Sequence, residues 1–391
     1  MKKVLYVVPG LNPNNKDGAS NRCESFINCF ADNGYDVTCL ALTYLKDYKN
    51  ALNHKSEYTS KAKWKILPYL FFLDNYNKNI LLIFIKLYVY ILNQICKFDF
   101  VLVDYASGAD VVSWLKGKLK IIVNYRGDQI DEHIMIHNCD QNCPSVRTLK
   151  RLISKSVDLA DYSICVSDAL RVNIETYAGK VLTSNFIFPC CADVNRFVIS
   201  EKMEFKDRFV LGYFGGLSKW QCVDYVIDYA IKLNNIDKRY FLLLLTNSNT
   251  ESIQDRLNLL GPDNYMIKSV GFSEIPRWLS LMDMSFNLRE NRPLNIVSSP
   301  TKLSESLASG VPVVVTEYSG DYREIIKDGV TGLVMPDLEV TDENVSLIHS
   351  FMLRIHENNN MIRKACRSQV VNRTWKQYTL EFIKFIEQSC K

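Results

Sequence analysis

The residues of this sequence best suited to chemistry lie together at Ser299-Pro300-Thr301-Lys302-Leu303-Ser304-Glu305. Ser299 is a favoured helix N-cap and Pro300 fits the first helical position, so the spacing predicts a helix that starts here. Leu303 and Leu307, four apart, can face a core; Gly310 ends the helix, and Val311 to Thr316 then read as a buried strand. A helix N-terminus carries unpaired N–H groups and a partial positive charge, which suits a diphosphate. Lys302 adds a full charge in the first turn. Glu305, three residues on, shares its face and could accept both hydroxyls of a ribose. A capped helix with Lys and Glu is also an ordinary structural feature, so the segment alone leaves both readings open.

A second constellation is His133, His137, Cys139 and Cys143, within eleven residues. The two histidines share a face if the stretch is helical, and four such side chains could bind zinc. The spacing is not that of a zinc finger. The expectation is therefore a mobile, thiol-bearing surface loop and no metal.

The elements that must position these residues alternate between strand and helix. Val4 to Val8, Val37 to Leu42, Phe100 to Val103, Ile121 to Val123, Ser163 to Val166 and Phe186 to Phe188 read as strands in the first half. Between them, Cys23, Phe26, Ile27, Phe30 and Ala31 form one helical stripe closed by Gly34, and Leu149, Leu152, Ile153, Val157 and Ala160 form another. Val194 to Asp207 is charged and lacks a period, which places a domain boundary near residue 200. Alternation then restarts, with strands expected at Val210 to Phe214, Phe241 to Leu245, Ile267 to Val270, Met284 to Leu288 and Val311 to Thr316. At 391 residues two domains are expected. The pattern is α/β: two tandem doubly wound domains, 1–200 and 201–373, each with a parallel sheet that binds ligands beyond the carboxyl ends of its strands.

Composition narrows the function classes. With 47% hydrophobic and 23% charged residues this is an ordinary globular chain, and a net charge of +4 does not suggest nucleic-acid binding. The apolar run Val4 to Val8 ends at Pro9, so a first strand is a better reading than a signal peptide. Ile80 to Ile95 is interrupted by Lys86 and is too short to span a membrane; it reads as a buried helix, with a membrane-surface helix as the alternative. Lys46, Lys49, Lys55, Lys61, Lys63 and Lys65 read as a lysine-bearing loop over a solvated face. The 12 cysteines show no secretory pattern and suit reduced thiols in a cytosol.

The segment 299–314, Ser-Pro-Thr-Lys-x-x-Glu-x-Leu-Ala-x-Gly-Val-Pro-Val-Val, resembles glycosyltransferase family 4, as does Asp328-Gly-Val-Thr-Gly-Leu-Val334. Leu159 to Ser167 and Ile187 to Asp193 followed by Phe197 match the family's approach to its interdomain linker. The resemblance implies a GT-B fold of two Rossmann-like domains facing across a cleft. Its last helix, 374–391, would pack back on the first domain. It further implies a nucleoside-diphosphate sugar donor, retention of anomeric configuration and no obligatory metal or other cofactor. The Glu matching Glu305 holds the donor ribose in that family. Ser299, Pro300 and Thr301 fall in the same donor-binding segment.

Departures from the family pattern matter as much. Val297 stands where a second Glu is common, eight positions before Glu305. After the first strand of the second domain, Phe214-Gly-Gly-Leu-Ser-Lys-Trp-Gln221 replaces the usual Arg and Lys. Gly215 and Gly216 would let the backbone approach a phosphate. Lys219 and Lys302 could jointly stabilise the leaving diphosphate, with Arg289 as a third cation unless it merely faces solvent. On the acceptor side, Asp17-Gly18-Ala-Ser-Asn-Arg22 is a glycine loop feeding a helix. Arg126 or Asp128 could position the acceptor, although a turn built by Gly127 and Asp128 explains them equally.

The expected function is sugar transfer to a glycan or lipid-linked glycan in cell-surface polysaccharide synthesis. The location would be cytoplasmic, with peripheral membrane contact if the acceptor is lipid-linked. The alternatives are an epimerase or phosphorylase on the same fold, or a catalytically silent nucleotide-sugar-binding protein, which Val297 would favour.

Overall fold

The computed structural model describes residues 1–11, 18–53, 58–59, 61–70 and 80–388. The chain divides into two compact units, Met1–Pro189 with Trp375–Lys391, and Cys190–Thr374. The division thus falls ahead of residue 200, and the charged stretch after Val194 belongs to the second unit.

In the first unit, β1 (Lys3–Pro9), β2 (Asp36–Tyr44), β3 (Ala62–Tyr69), β4 (Phe100–Asp104), β5 (Lys120–Tyr125), β6 (Tyr162–Cys165) and β7 (Asn185–Ile187) form one sheet in the order β3-β2-β1-β4-β5-β6-β7. Every pairing is parallel. A parallel sheet is covered on both faces, so its central strands are apolar runs rather than alternating ones; Val4 to Val8 and Phe100 to Val103 are buried throughout. The covering helices are α1 (Gly18–Asp32), α2 (Leu45–Asn53), α3 (Ile80–Cys96), α4 (Tyr105–Val111), α5 (Gln129–His137), α6 (Pro144–Leu159) and α7 (Asp168–Ala178).

Two expectations for this unit change. Four of the six lysines read as a loop lie on elements: Lys46 and Lys49 on α2, and Lys63 and Lys65 on β3. Lys55 lies outside the described residues. β3 is an edge strand, and lysines together with Pro68 are what an edge strand carries to block further pairing. The strand escapes sequence detection because its burial is uneven, with Lys63 and Lys65 exposed. The second change concerns α3, which is only half buried. Leu82, Ile85, Val89 and Leu92 face the unit, whereas Ile83, Phe84, Leu87 and Ile91 are exposed. Among the described residues no helix is long and apolar enough to cross a membrane.

The second unit repeats the plan. β8 (Phe209–Phe214), β9 (Tyr240–Leu245), β10 (Tyr265–Lys268), β11 (Met284–Asn287), β12 (Val313–Thr316) and β13 (Gly332–Met335) make a parallel sheet in the order β10-β9-β8-β11-β12-β13. Around it lie α8 (Val223–Ile236), α9 (Gln254–Leu260), α10 (Ile275–Leu279), α11 (Pro293–Ile296), α12 (Thr301–Ala308), α13 (Asp342–Glu357) and α14 (Asn359–Ser368). Entry and exit of the chain meet here, with Ala192 bridged to Thr374. The closing helix α15 (Trp375–Gln388) belongs to the first unit, where its Phe382 and Trp375 rings pack on Phe30 and Phe26 of α1.

Both sheets reverse their strand order once, between β1 and β4 and between β8 and β11. In doubly wound sheets ligands bind beyond the carboxyl ends of the strands at that reversal. Gly215 follows β8 and Arg289 lies just past β11, so both flank the reversal of the second unit.

Candidate active site

A cluster of cations is built at this reversal from three elements. α12 supplies Lys302, whose Nζ donates to Gln221 Oε1 (2.8 Å) and to the Tyr213 hydroxyl (3.3 Å), and sits over the Tyr213 ring at 4.7 Å. Past β11, Arg289 donates from Nη2 to the same Gln221 oxygen (3.1 Å) and from Nη1 to Leu288 O (2.7 Å). Tyr213, on β8, turns its own hydroxyl to Gly216 O. One neutral amide oxygen thus gathers two cations. Among the described residues neither Lys302 nor Arg289 has a carboxylate within ion-pair distance. Arg289 is 5% exposed. Burial pushes the Lys302 ammonium well below its ordinary range, and the neighbouring Arg289 charge pushes the same way.

Gly215 makes this arrangement possible. It has φ +130°, and a Cβ there would stand 2.1 Å from Lys302 Nζ, so only glycine leaves the ammonium its place. Gly216 is exposed beside it.

Glu305 lies one turn into α12 and is buried. Burial pushes its carboxyl up to about 8, against the pull of Lys302 and Arg196. No donor among the described residues hydrogen-bonds that carboxyl. Its two oxygens remain available to a ligand.

Three predicted residues sit differently from the sequence expectation. Pro300, not Ser299, is the N-cap of α12. The Ser299 hydroxyl is held elsewhere: it donates to Asp321 Oδ2 (2.6 Å) and accepts from Cys190 N (2.8 Å) and Arg373 Nη2 (3.1 Å). Proline has no N–H and takes extended φ/ψ readily, so it closes the helix start while the serine is pulled into the Arg373–Asp321 pair. Thr301 opens the helix and is half-buried. Lys219 is exposed at the head of a short 3-10 turn ending at Gln221, and its ammonium takes no part in the cluster. Charge singles out the lysine of that turn in the sequence. Gln221, two residues on, is the one that organises the site, and an uncharged amide gives no signal. Arg289, for which a solvent-facing reading stood open, is buried.

Further polar groups line the end of β11. The Asn287 side-chain amide and Glu290 Oε1 are buried without a hydrogen-bond partner among the described residues, although the Glu290 oxygen has Arg292 Nε at 3.9 Å. Val297 is buried at the end of α11 and offers no polar atom.

The corresponding edge of the first unit is built on different terms. Asp104, at the end of β4 and fully buried, accepts from Arg126 Nη1 (2.6 Å), Asn124 Nδ2 (2.7 Å) and the Tyr6 hydroxyl (3.1 Å). Asp128 caps α5, accepting from Ile130 N and Asp131 N, and also from Asn173 Nδ2 (2.8 Å) and the Tyr177 hydroxyl (2.9 Å). Both predicted acceptor-side charges are therefore engaged inside the unit. Tyr105, next to Asp104, has φ +64°, a conformation costly for a non-glycine residue and characteristic of functional edges. Nothing in its sequence context announces it. Gly18 is the first residue of α1; the loop before it, including Asp17, lies outside the described residues.

Comparisons with known proteins bear on the fold and on the second unit. Residues 208–349 match the family model for glycosyl transferases group 1. No curated protein matches the chain by sequence. HepE of Anabaena, solved in complex with UDP, superposes with a TM-score of 0.76 over 99% of this chain and 100% of its own, at 14% identity. The sucrose-phosphate synthase of Thermosynechococcus elongatus superposes with a TM-score of 0.75 over 99% of each chain, at 13% identity. The lipopolysaccharide outer core galactosyltransferase WaaB gives 0.69 over 99% of each chain, also at 13% identity. Two doubly wound units, the shared fold and the matched second unit place this chain among proteins of GT-B glycosyltransferase fold, with a glycosyl transferases group 1 domain in its second half.

Proposed function

We propose that the protein is a retaining glycosyltransferase that moves a sugar from a nucleoside diphosphate to a hydroxyl of a glycan or lipid-linked glycan in cell-surface polysaccharide synthesis. The observation that carries this is the pair Lys302 and Arg289, two cations without a carboxylate partner among the described residues at the reversal of the second sheet. Keeping unpaired cations out of water is costly, and an anionic ligand repays the cost. A diphosphate fits: it meets both cations and the free N–H groups of Thr301 and Lys302 at the start of α12. Glu305 then accepts the ribose hydroxyls. In HepE the bound ligands are UDP and UDP-glucose, which makes uridine the first base to test.

In the reaction the bond from the anomeric carbon to the diphosphate oxygen breaks, and the acceptor oxygen bonds to that carbon on the same face. The acceptor proton passes to the departing phosphate. Charge grows on the diphosphate as it leaves, and Lys302 and Arg289, already fixed by Gln221, stabilise it without reorganising. No metal is required for this charge balance. Lys219, exposed, meets the donor from solvent. Gly18 belongs to the acceptor side, with Arg126 and Asp128 holding the loops that shape it.

A lipid-linked acceptor would lie at the cytoplasmic face of a membrane. The exposed Ile83, Phe84, Leu87 and Ile91 of α3 suit such a surface, since α3 has no acidic residue and Lys118 rests on its Tyr90 ring at 4.1 Å. Sedimentation with anionic vesicles, lost in Phe84→Glu, tests this.

The decisive experiment is thermal stability against UDP, GDP, ADP, CMP and their sugars, followed by product analysis with the sugar that binds. A shift from one nucleotide diphosphate, lost in Lys302→Met, supports the site. No shift from any of them overturns it. Binding with neither transfer nor altered nucleotide sugar would move the protein to the silent, binding-only class, and an altered nucleotide sugar without acceptor would mean epimerisation.

A further inference from the structure

The junction of α5 and α6 carries a cluster that sugar transfer does not use. His133 lies on α5; α5 ends at His137, after which Asn138 takes a left-handed conformation (φ +48°) that turns the chain back. Cys139 follows this turn, and Cys143 stands at the N-cap of α6. Four residues that a linear reading assigns to a loose loop are thus folded onto one another.

Their donor atoms converge. One ligand atom from each of His133, Cys139 and Cys143 lies within 4.8 Å of the other two. Cys143 Sγ is 3.1 Å from Cys139 Sγ, and the Ser145 hydroxyl reaches both His133 Nε2 (2.8 Å) and Cys143 Sγ (3.1 Å). The His137 ring lies 4.3 Å from the His133 ring, centre to centre. All four side chains are at least partly accessible to solvent, so an ion has a way in.

We infer that His133, His137, Cys139 and Cys143 form a structural zinc site joining the end of α5 to the start of α6. With Zn–S near 2.3 Å and Zn–N near 2.0–2.1 Å, ligand atoms of a tetrahedral site stand about 3.3–3.8 Å apart. The spacing of the His133, Cys139 and Cys143 donor atoms brackets that range, and rotation of the adjacent His137 ring is what brings the fourth nitrogen to it. Two thiols and two imidazoles make a neutral site with the divalent ion once both thiol protons leave to solvent. The donor chemistry selects a borderline-soft ion over magnesium or calcium, which take oxygen ligands. A closed four-ligand set leaves no open position for catalysis, so the ion acts on the fold. It pins the far end of the helix that Asp128 caps.

The test uses the full chain, reduced, stripped with a chelator and titrated with Co2+ and then Zn2+. One equivalent of Co2+ should give a thiolate-to-metal charge-transfer band in the near ultraviolet and visible bands of tetrahedral intensity, both abolished by Zn2+. Zn2+ should also raise the thermal midpoint. Cys139→Ser and Cys143→Ser should each remove the charge-transfer intensity they contribute, and His137→Ala should weaken Zn2+ binding about tenfold or more. Circular dichroism and the nucleotide-induced thermal shift, a property of the other unit, should stay unchanged in the variants. Absence of a thiolate band in the reduced wild-type chain, or a band that survives the double cysteine variant, overturns the site. Unaltered Zn2+ affinity in His137→Ala removes that residue from it.

Discussion

The two units place buried charge at the same topological point and treat it oppositely. In the first, Arg126 is paired with a fully buried Asp104 that also accepts from Asn124 and Tyr6. In the second, Lys302 and Arg289 share one amide oxygen and, among the described residues, have no carboxylate within ion-pair distance. A buried ion pair is closed; its charges answer one another and hold loops in register. Two cations held by a neutral acceptor, Arg289 buried and Lys302 half-buried, are open, and their field points at whatever anion arrives. In the function proposed, the same strand order serves as a frame in one unit and as a receptor in the other. The residue that decides between them is the partner of the arginine: an aspartate in one case, a glutamine in the other.

That contrast predicts opposite outcomes for the same kind of substitution. Arg126→Met should have the largest effect on stability. It strands the Asp104 carboxylate in the interior, and breaking a buried pair in this way costs about 3–5 kcal/mol. Chemical denaturation checks it, and a loss within error of zero would mean that Asn124 and Tyr6 alone satisfy the carboxylate. Lys302→Met should leave stability unchanged or raised, because it removes an ammonium held away from water. Turnover should fall about 10²–10³-fold, the scale seen when one fixed donor to a developing anion is lost. If Lys302→Met unfolds the protein and Arg126→Met abolishes turnover without loss of stability, the roles of the two units are reversed. Gly215→Ala should act through the same lysine, since its methyl would stand 2.1 Å from Nζ and displace it. It should raise KM for the donor, while Gln221→Leu, which frees both cations from their anchor, should lower kcat more than it changes KM.

Much of this frame is legible in the sequence, because a parallel sheet writes itself as short apolar runs separated by helices. Val4 to Val8, Phe241 to Leu245 and Val311 to Thr316 are buried on both faces and read as strands at once. β3 escapes because an edge strand mixes lysines with its apolar residues. Half of α3 misleads because an apolar helix does not reveal in its sequence that one face lacks a cover. The site divides along the same line. Charged residues at a helix start, Lys302 and Glu305, stand out from their spacing. Gln221, Tyr105 and the Arg373 that captures Ser299 do not, since an amide acceptor, a strained backbone and a partner 74 residues distant leave no local pattern. The junction of His133, Cys139 and Cys143 requires the left-handed turn at Asn138, which no periodicity announces.

Glu305 offers the finest discrimination between a receptor and a frame. Its carboxyl is pushed from an ordinary 4.5 up to about 8 by burial, so between those values the folded chain holds a proton that the unfolded chain has released. The unfolded state then binds fewer protons, and stability falls as pH rises, by at most about 1.4 kcal/mol per pH unit. Below 4.5 both states are protonated and no penalty exists; above about 8 the penalty is complete. Glu305→Gln lacks this titration, so its thermal midpoint should draw ahead of the wild type progressively across that window and run parallel beyond. Nucleotide binding adds a signature that a merely buried carboxyl would not give. A ribose donates to the ionised form and favours it, so wild-type affinity should rise with pH through the same window. Binding near neutral pH should release a proton detectable as a buffer-dependent heat. The Glu305→Gln variant should release none. Equal proton release from both proteins would place the ribose contact elsewhere and leave Glu305 as a buried acid with no ligand to answer.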